Sequence, residues 1–151
     1  MPPYGTSIGV MQMAIYNLTI PGEPVSKARP RVGMGGAYTP AKTKNYETLV
    51  KEMFYYTHGS LLLDGPIFAV IKAYFPIPKS ESKKKRSLMA TEIYYHTKSK
   101  DVDNIAKAIL DSLNGVAYHD DKQVARLVVE KFYSETPRVE LMLSVMEQYQ
   151  N

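Results

Sequence analysis

Between Ile67 and Phe75 every residue except Lys72 is apolar or aromatic. Read at the two-residue period of a strand, Ile67, Ala69, Ile71, Ala73 and Phe75 make one face, and Phe68, Val70, Lys72 and Tyr74 make the other. Neither face suits water, so the segment is expected as a central strand covered on both sides. Such a strand needs partners and covering layers from the rest of the chain. At 151 residues there is material for about one domain with one hydrophobic core.

The partners are legible on either side. Ala14, Tyr16, Leu18 and Ile20 alternate with Asn17 and Thr19 and stop at Pro21-Gly22, a strand and its end. Near the C-terminus, Val124 to Tyr133 and Arg138 to Met146 read as two more strands, the second alternating strictly through Val139, Leu141, Leu143 and Val145. The glycines of Gly33-Met34-Gly35-Gly36 suggest a hairpin tip; with no Gly-Lys-Ser/Thr after them they are not a phosphate-cradling loop.

Three helical segments supply the cover. Thr39 is placed to cap the first, Pro40 suits its opening position, Tyr46, Leu49, Val50, Met53 and Phe54 form its apolar stripe, and Gly59 ends it. Ser80 or Ser82 caps a short basic helix running to about Ala90, after which Ile93 to His96 is read as extended. Asp101 to Gly115 carries the clearest pattern: Val102, Ile105, Ala106, Ile109, Leu110 and Leu113 recur at helical spacing. Asp103, Asn104, Lys107 and Asp111 gather within a wedge of about 100° opposite them, and Asn114-Gly115 supplies the stop. The expectation is an α+β fold, a mixed sheet packed with two to three helices in one compact domain over 13–151, preceded by a loose extension over 1–12.

Composition removes several classes of function. There is no Cys, which excludes disulfide scaffolds and thiolate catalysis and leaves only three His and the carboxylates for any zinc. No apolar run reaches the roughly 18 residues of a membrane span, and the N-terminus lacks the basic flank of a secretion signal, so no membrane partner and a cytoplasmic location are expected.

Charge is distributed unevenly. From Lys27 to Lys51, Lys27, Arg29, Arg31, Lys42, Lys44 and Lys51 face only Glu47; from Lys79 to Lys100, Lys79, Lys83, Lys84, Lys85, Arg86, Lys98 and Lys100 face Glu81 and Glu92. Each segment is net +5, which leaves the remainder of a chain of net +4 at −6. A polyanion such as DNA is drawn to the basic segments and repelled by the remainder, unless the acids there hold cations. Lys27, Arg29, Arg31, Lys83, Lys84, Lys85, Arg86, Lys98 and Lys100 are the candidate DNA-binding residues. A solvated helix face is the plainer reading of the Lys83 to Arg86 run.

The acids fall in two pairs. If Asp101 still belongs to the incoming extended segment, Asp101 and Asp103 face one point. Asp120-Asp121 sits in the loop after the helix, and at most one of these neighbours joins the first pair comfortably. Converging carboxylates repel unless a cation neutralises them, and hard oxygen donors without thiolate select Mg²⁺, with Mn²⁺ as substitute. Such an ion activates water and stabilises the charge of phosphodiester cleavage. Lys107, one turn beyond Asp103, is placed to hold that phosphate. Ordinary structure accounts for the same residues as a helix cap, an Asp103–Lys107 surface pair and a turn dipeptide. His96 and His119 are read as packing or surface residues, since neither has ligand spacing to another His.

The run Lys100-Asp101-Val102-Asp103-Asn104-Ile105-Ala106-Lys107, then Asp111-Ser112-Leu113-Asn114-Gly115-Val116 and Tyr118-His119-Asp120-Asp121-Lys122-Gln123-Val124, resembles the central motif of the RusA-type Holliday junction resolvases. The stretch Gly22 to Arg31, the Tyr38-Thr39-Pro40 helix start and the Ser82 to Arg86 run are similar to members found in phages and prophages of Gram-positive bacteria. The resemblance spans about Ile15 to Met146. It implies a homodimeric, Mg²⁺-dependent endonuclease, without a small-molecule cofactor, that resolves four-way DNA junctions by paired symmetric nicks leaving 5′-phosphate ends. By the same resemblance the metal-binding aspartates are Asp101, Asp103 and Asp121, with Asp120 as an additional candidate, and the active-site lysine is Lys107. Lys100 stands where the best-known member has Arg, keeping charge without bidentate geometry. Two other readings stay open: a less selective branched-DNA or flap nuclease, and a noncatalytic DNA-binding accessory protein whose aspartates are caps and turns.

Overall fold

A computed structural model describes residues 14–28, 31–38 and 40–148. The expected extension over 1–12, Arg29 and Thr39 lie outside the described residues. Arg31 and Tyr38 are described by backbone alone.

The elements run β1 (Ile15–Pro21), β2 (Arg31–Gly33), β3 (Gly36–Tyr38), α1 (Ala41–His58), β4 (Ile67–Pro76), α2 (Lys83–Met89), α3 (Val102–Ser112), a 3-10 turn (Asp121–Gln123), β5 (Val124–Ser134) and β6 (Arg138–Val145). Four strands form one sheet in the order β1-β6-β4-β5, and β2 and β3 form the expected small hairpin. β6 pairs antiparallel with β1 and β4, whereas β4 and β5 are parallel. A parallel pair needs a long crossover, and here α2 and α3 provide it. The fold is therefore the expected α+β arrangement with a mixed sheet, and β4 is an interior strand.

One sheet face carries the core. Leu18 pairs with Leu141 and Ile20 with Val139 across β1 and β6, and Ile71 aligns with Leu141 and with Val129. Against this face lie Val50 and Phe54 of α1 and Ile105 and Ile109 of α3, all fully buried. Each such side chain contributes about 1.5–3 kcal/mol through removal from water. The α1 stripe is narrower than its spacing implies: Thr43, Tyr46, Val50 and Phe54 are buried, while Leu49 is 40% exposed.

The opposite face corrects an expectation. Phe68, Val70 and Lys72 of β4 remain half-exposed, so no second covering layer forms on them among the described residues. Part of the cover comes from within the sheet, because long side chains on neighbouring strands fold over the rings. The Arg126 guanidinium lies 4.9 Å from the Phe68 ring centroid, and that of Arg138 lies 3.9 Å from the Tyr74 ring.

Helix ends follow local chemistry with small shifts. Pro40, expected as the first helical residue, is the N-cap of α1 and makes no side-chain cap bond. Ser82 caps α2 by accepting from the Lys85 amide at 3.2 Å. Gly59, at φ 77°, closes α1 by donating its amide to the Tyr55 carbonyl. Residues 93–96 form no strand of the sheet; they lie against its edge through a bridge from Tyr95 to Phe132 and through the stacking of His96 on Phe75.

Candidate active site

The site is built on the solvent face of α3. Ile105, Ala106, Ile109 and Leu110 are buried, which turns Asp103, Lys107 and Asp111 outward in one row at four-residue intervals. Asp101 is the N-cap, but its side chain makes no capping bond, so the carboxylate is exposed and free of the helix amides. The residue before it, Lys100, has φ 81°, a left-handed conformation rare outside glycine. Two bonds hold that bend: the Lys131 ammonium donates to the Lys98 carbonyl at 3.2 Å and to the Lys100 carbonyl at 2.9 Å.

The loop after α3 folds back on the helix. Tyr118, fully buried, donates its hydroxyl to the Leu110 carbonyl at 2.6 Å. Its own carbonyl accepts from Gly115, whose φ of 78° makes the turn. Leu61 and Leu63 donate to the Val116 and Ala117 carbonyls at 2.9 Å each, so the α1–β4 connection holds the loop from behind. At its end Asp120 and Gln123 form a capping box, and Gln123 also donates to the carbonyls of Leu63 and Gly65. The Asn114 side chain accepts from the Asp121 amide at 2.7 Å. Asp121 is thereby fixed beside the last turn of α3.

Its neighbour there is Asp111. Burial, then the hydrogen bond and charge of Asp111, then Asp120, push the Asp121 carboxyl above the usual carboxylate range. Asp120 goes the other way, held down chiefly by the Lys122 amide. Lys107 stands 3.8 Å from Asp111, and among the described residues its ion pair is with Asp111 rather than the expected Asp103. Lys27 reaches the same carboxylate at 3.6 Å and pairs with Glu47 of α1. Burial works against its charge, but Glu47 and Asp111 outweigh it and raise the Lys27 ammonium above its ordinary value.

The structure thus forms two carboxylate groups. Asp101 and Asp103 open α3, and Asp121 meets Asp111 at the far end, about 12 Å along the axis from Asp103 at 1.5 Å per residue. Lys107 lies between them. Among the described residues no three His, Asp or Glu come close enough to hold a metal ion by themselves. The donors are nevertheless of the kind Mg²⁺ uses, since that ion is commonly held by one or two carboxylates together with water and substrate phosphate. The close Asp111–Asp121 pair is also the like-charge contact a cation relieves.

The basic residues divide as well. Lys83, Lys84, Lys85 and Lys98 are exposed. Arg86 instead makes a bidentate pair with Glu135, at 2.8 and 2.7 Å, and donates to the Pro78 carbonyl. Lys100 donates to the Pro24 carbonyl at 2.8 Å and lies 3.5 Å from Glu23. Lys27, Arg86 and Lys100 are therefore engaged within the fold. His119 is exposed and contacts Asp64 at 3.0 Å.

His96 is a packing residue, 7% exposed and stacked on Phe75 with ring centroids 3.9 Å apart. Burial, with Lys131 and Lys100 nearby, lowers its pKa from 6.5 to about 4. The unfolded chain therefore takes up this proton at higher pH than the folded one. Stability is full above about pH 6.5 and falls as pH drops towards about 4, by at most ~1.4 kcal/mol per pH unit. Urea midpoints of the wild type should decline across that window, and His96→Gln should lose this part of the decline. Parallel pH profiles would show that another group is responsible.

Asp111, Asn114 and Gln123 are not among the site residues expected from the sequence, and neither is the Lys27–Glu47 clamp. Asp111 had a signal, its place in line with Asp103 and Lys107, but that pattern equally describes any solvated helix face. Residues 21–144 match the family model Endodeoxyribonuclease RusA. The chain is also 38% identical over 137 residues to the uncharacterized protein YqaN of Bacillus subtilis (strain 168), covering 87% of this chain and 96% of that one. No helix among the described residues is long and apolar enough to cross a membrane. With the family model spanning β4, β5, nearly all of β6, α3 and both carboxylate groups, the chain belongs to the RusA endodeoxyribonuclease family.

Proposed function

We propose that this protein is a Mg²⁺-dependent endonuclease that resolves four-way DNA junctions, acting as a homodimer so that two like sites nick two strands symmetrically. The observation that carries the reading is the outward row on α3, with carboxylates at both ends and Lys107 between them, within a chain matched to the family over 21–144. The carboxylates that would hold metal are Asp101 and Asp103 at the start of α3 and, as a separate group at its far end, Asp121 with Asp111 and Asp120 beside it. An ion bound at such a group supplies a water of lowered pKa and neutralises charge on the phosphate.

The chain's own groups do the rest. Lys107 holds the scissile phosphate, and Asp111 orients the Lys107 ammonium from 3.8 Å. Lys83, Lys84, Lys85 and Lys98, exposed as they are, attract the DNA backbone as a delocalised positive surface. Hydrolysis at the phosphate leaves 5′-phosphate and 3′-hydroxyl ends.

The test is cleavage of an end-labelled, immobile four-way junction in Mg²⁺ and in EDTA, beside a linear duplex. Symmetric nicks that need the metal and leave the duplex intact are expected. Equal cutting of junction, flap and duplex would replace junction resolution by general nuclease activity, and binding without cutting in Mg²⁺ or Mn²⁺ would remove catalysis.

A further inference from the structure

Beside the N-terminus of α3 lies a cavity of about 280 Å³ that the carboxylate chemistry leaves unused. Phe75, Tyr94, His96 and Tyr133 line it, with the exposed Lys85 and Lys98. The rings are held against one another: His96 stacks on Phe75 at an interplanar angle of 15°, and Tyr133 packs on His96 with centroids 4.9 Å apart. Lys85 lies 5.7 Å from the Tyr94 ring centroid.

His96 anchors this aromatic wall. Its backbone amide donates to the Lys131 carbonyl at 2.9 Å, which fixes the residue in place. The residue is more than nine-tenths buried, and its Nδ1 atom, itself without accessible surface, sits inside the packed wall with no hydrogen-bond partner among the described residues.

The cavity also has a fixed relation to the cleavage site. The strap from His96 to Lys100 leads directly into Asp101, and Lys131 pins it by its bonds to the Lys98 and Lys100 carbonyls. Phe75 is shared, since the Lys100 ammonium lies 5.7 Å from its ring centroid. Aromatic walls and cations at the surface match a flat group with apolar faces and an anionic backbone. Glu23 and Glu81 on the rim disfavour a free anion in the cavity but accept hydrogen bonds from a base edge.

We propose that this cavity receives one unstacked nucleobase of the branched DNA, adjacent to the phosphate held at Asp101 and Lys107. The inference rests on the nuclease reading. A branch point is where removing a base from its stack costs least, so a base pocket beside the scissile phosphate would help place the cut at the branch.

The experiment measures binding, without Mg²⁺, of junctions carrying a single abasic nucleotide at successive positions around the branch. One position should weaken wild-type binding by about ten-fold. Pro78→Trp, placed on the exposed rim of the cavity, should bind junctions with and without that base equally, and His96→Gln should reduce the difference. Wild-type binding indifferent to every abasic position overturns the pocket, as does a sensitive position whose sensitivity survives Pro78→Trp. A protein that cuts junctions yet fails these tests loses only the base pocket; one that binds no branched DNA loses the nuclease reading as well.

Discussion

Asp103→Asn should lower junction cleavage in Mg²⁺ by about 10³-fold while leaving junction binding nearly unchanged. A metal ligand contributes several kcal/mol to transition-state charge stabilisation, and each ~1.4 kcal/mol is a factor of ten in rate. Asn keeps the shape of Asp but loses the charge that attracts a hard cation. The side chain is exposed in the first turn of α3, so the fold loses only its interaction with the helix dipole, worth about 0.3–1 kcal/mol. A melting curve close to wild type separates lost chemistry from lost structure. Single-turnover cleavage and gel-shift titration of one junction preparation make the comparison, and wild-type cleavage by the variant would remove Asp103 from the metal site.

The second large effect falls on stability and reaches the site indirectly. Tyr118→Ala should destabilise the protein by about 3–5 kcal/mol, the usual cost of truncating a fully buried aromatic. Its ring fills the space between α3 and the returning loop, and its hydroxyl caps the Leu110 carbonyl at 2.6 Å. Tyr118→Phe removes only that hydrogen bond, at a cost of about 1 kcal/mol. Urea denaturation of the three proteins gives the values directly. If the loop is what holds Asp121 beside Asp111, the Ala variant should also lose cleavage under conditions where it remains folded, whereas the Phe variant should keep most of it. Equal stability of the Ala variant and the wild type would mean that the loop is not anchored by this side chain.

The two variants mark where sequence and structure part. Asp103 is found by reading along the chain, because a helix repeats every 3.6 residues and burial of Ile105, Ile109 and Leu113 leaves one direction for the polar residues. Tyr118 is one of 12 tyrosines, and nothing in its neighbours marks it as the anchor of a loop. It is tied to the Leu110 carbonyl by its hydroxyl and to Leu63 by a backbone bridge, residues from separate stretches of the chain. The basic segments show the same division. Their excess charge is plain in composition, yet only packing shows that Arg86 faces Glu135 and Lys27 faces Glu47 and Asp111, while Lys83 to Lys85 stay exposed.

Local periodicity by itself determined the four strands of the main sheet, α1, α3 and the outward row on α3, because those patterns depend on residues within a turn or two of one another. It also marked β4 as interior, since a run so apolar has no stable place at an edge. Only the tertiary structure decided that β4 keeps one half-exposed face, that Asp121 returns to Asp111 rather than to the start of the helix, and that His96 is buried. Each of these depends on which distant segment the chain brings alongside, and that choice is made by the packing of the whole core.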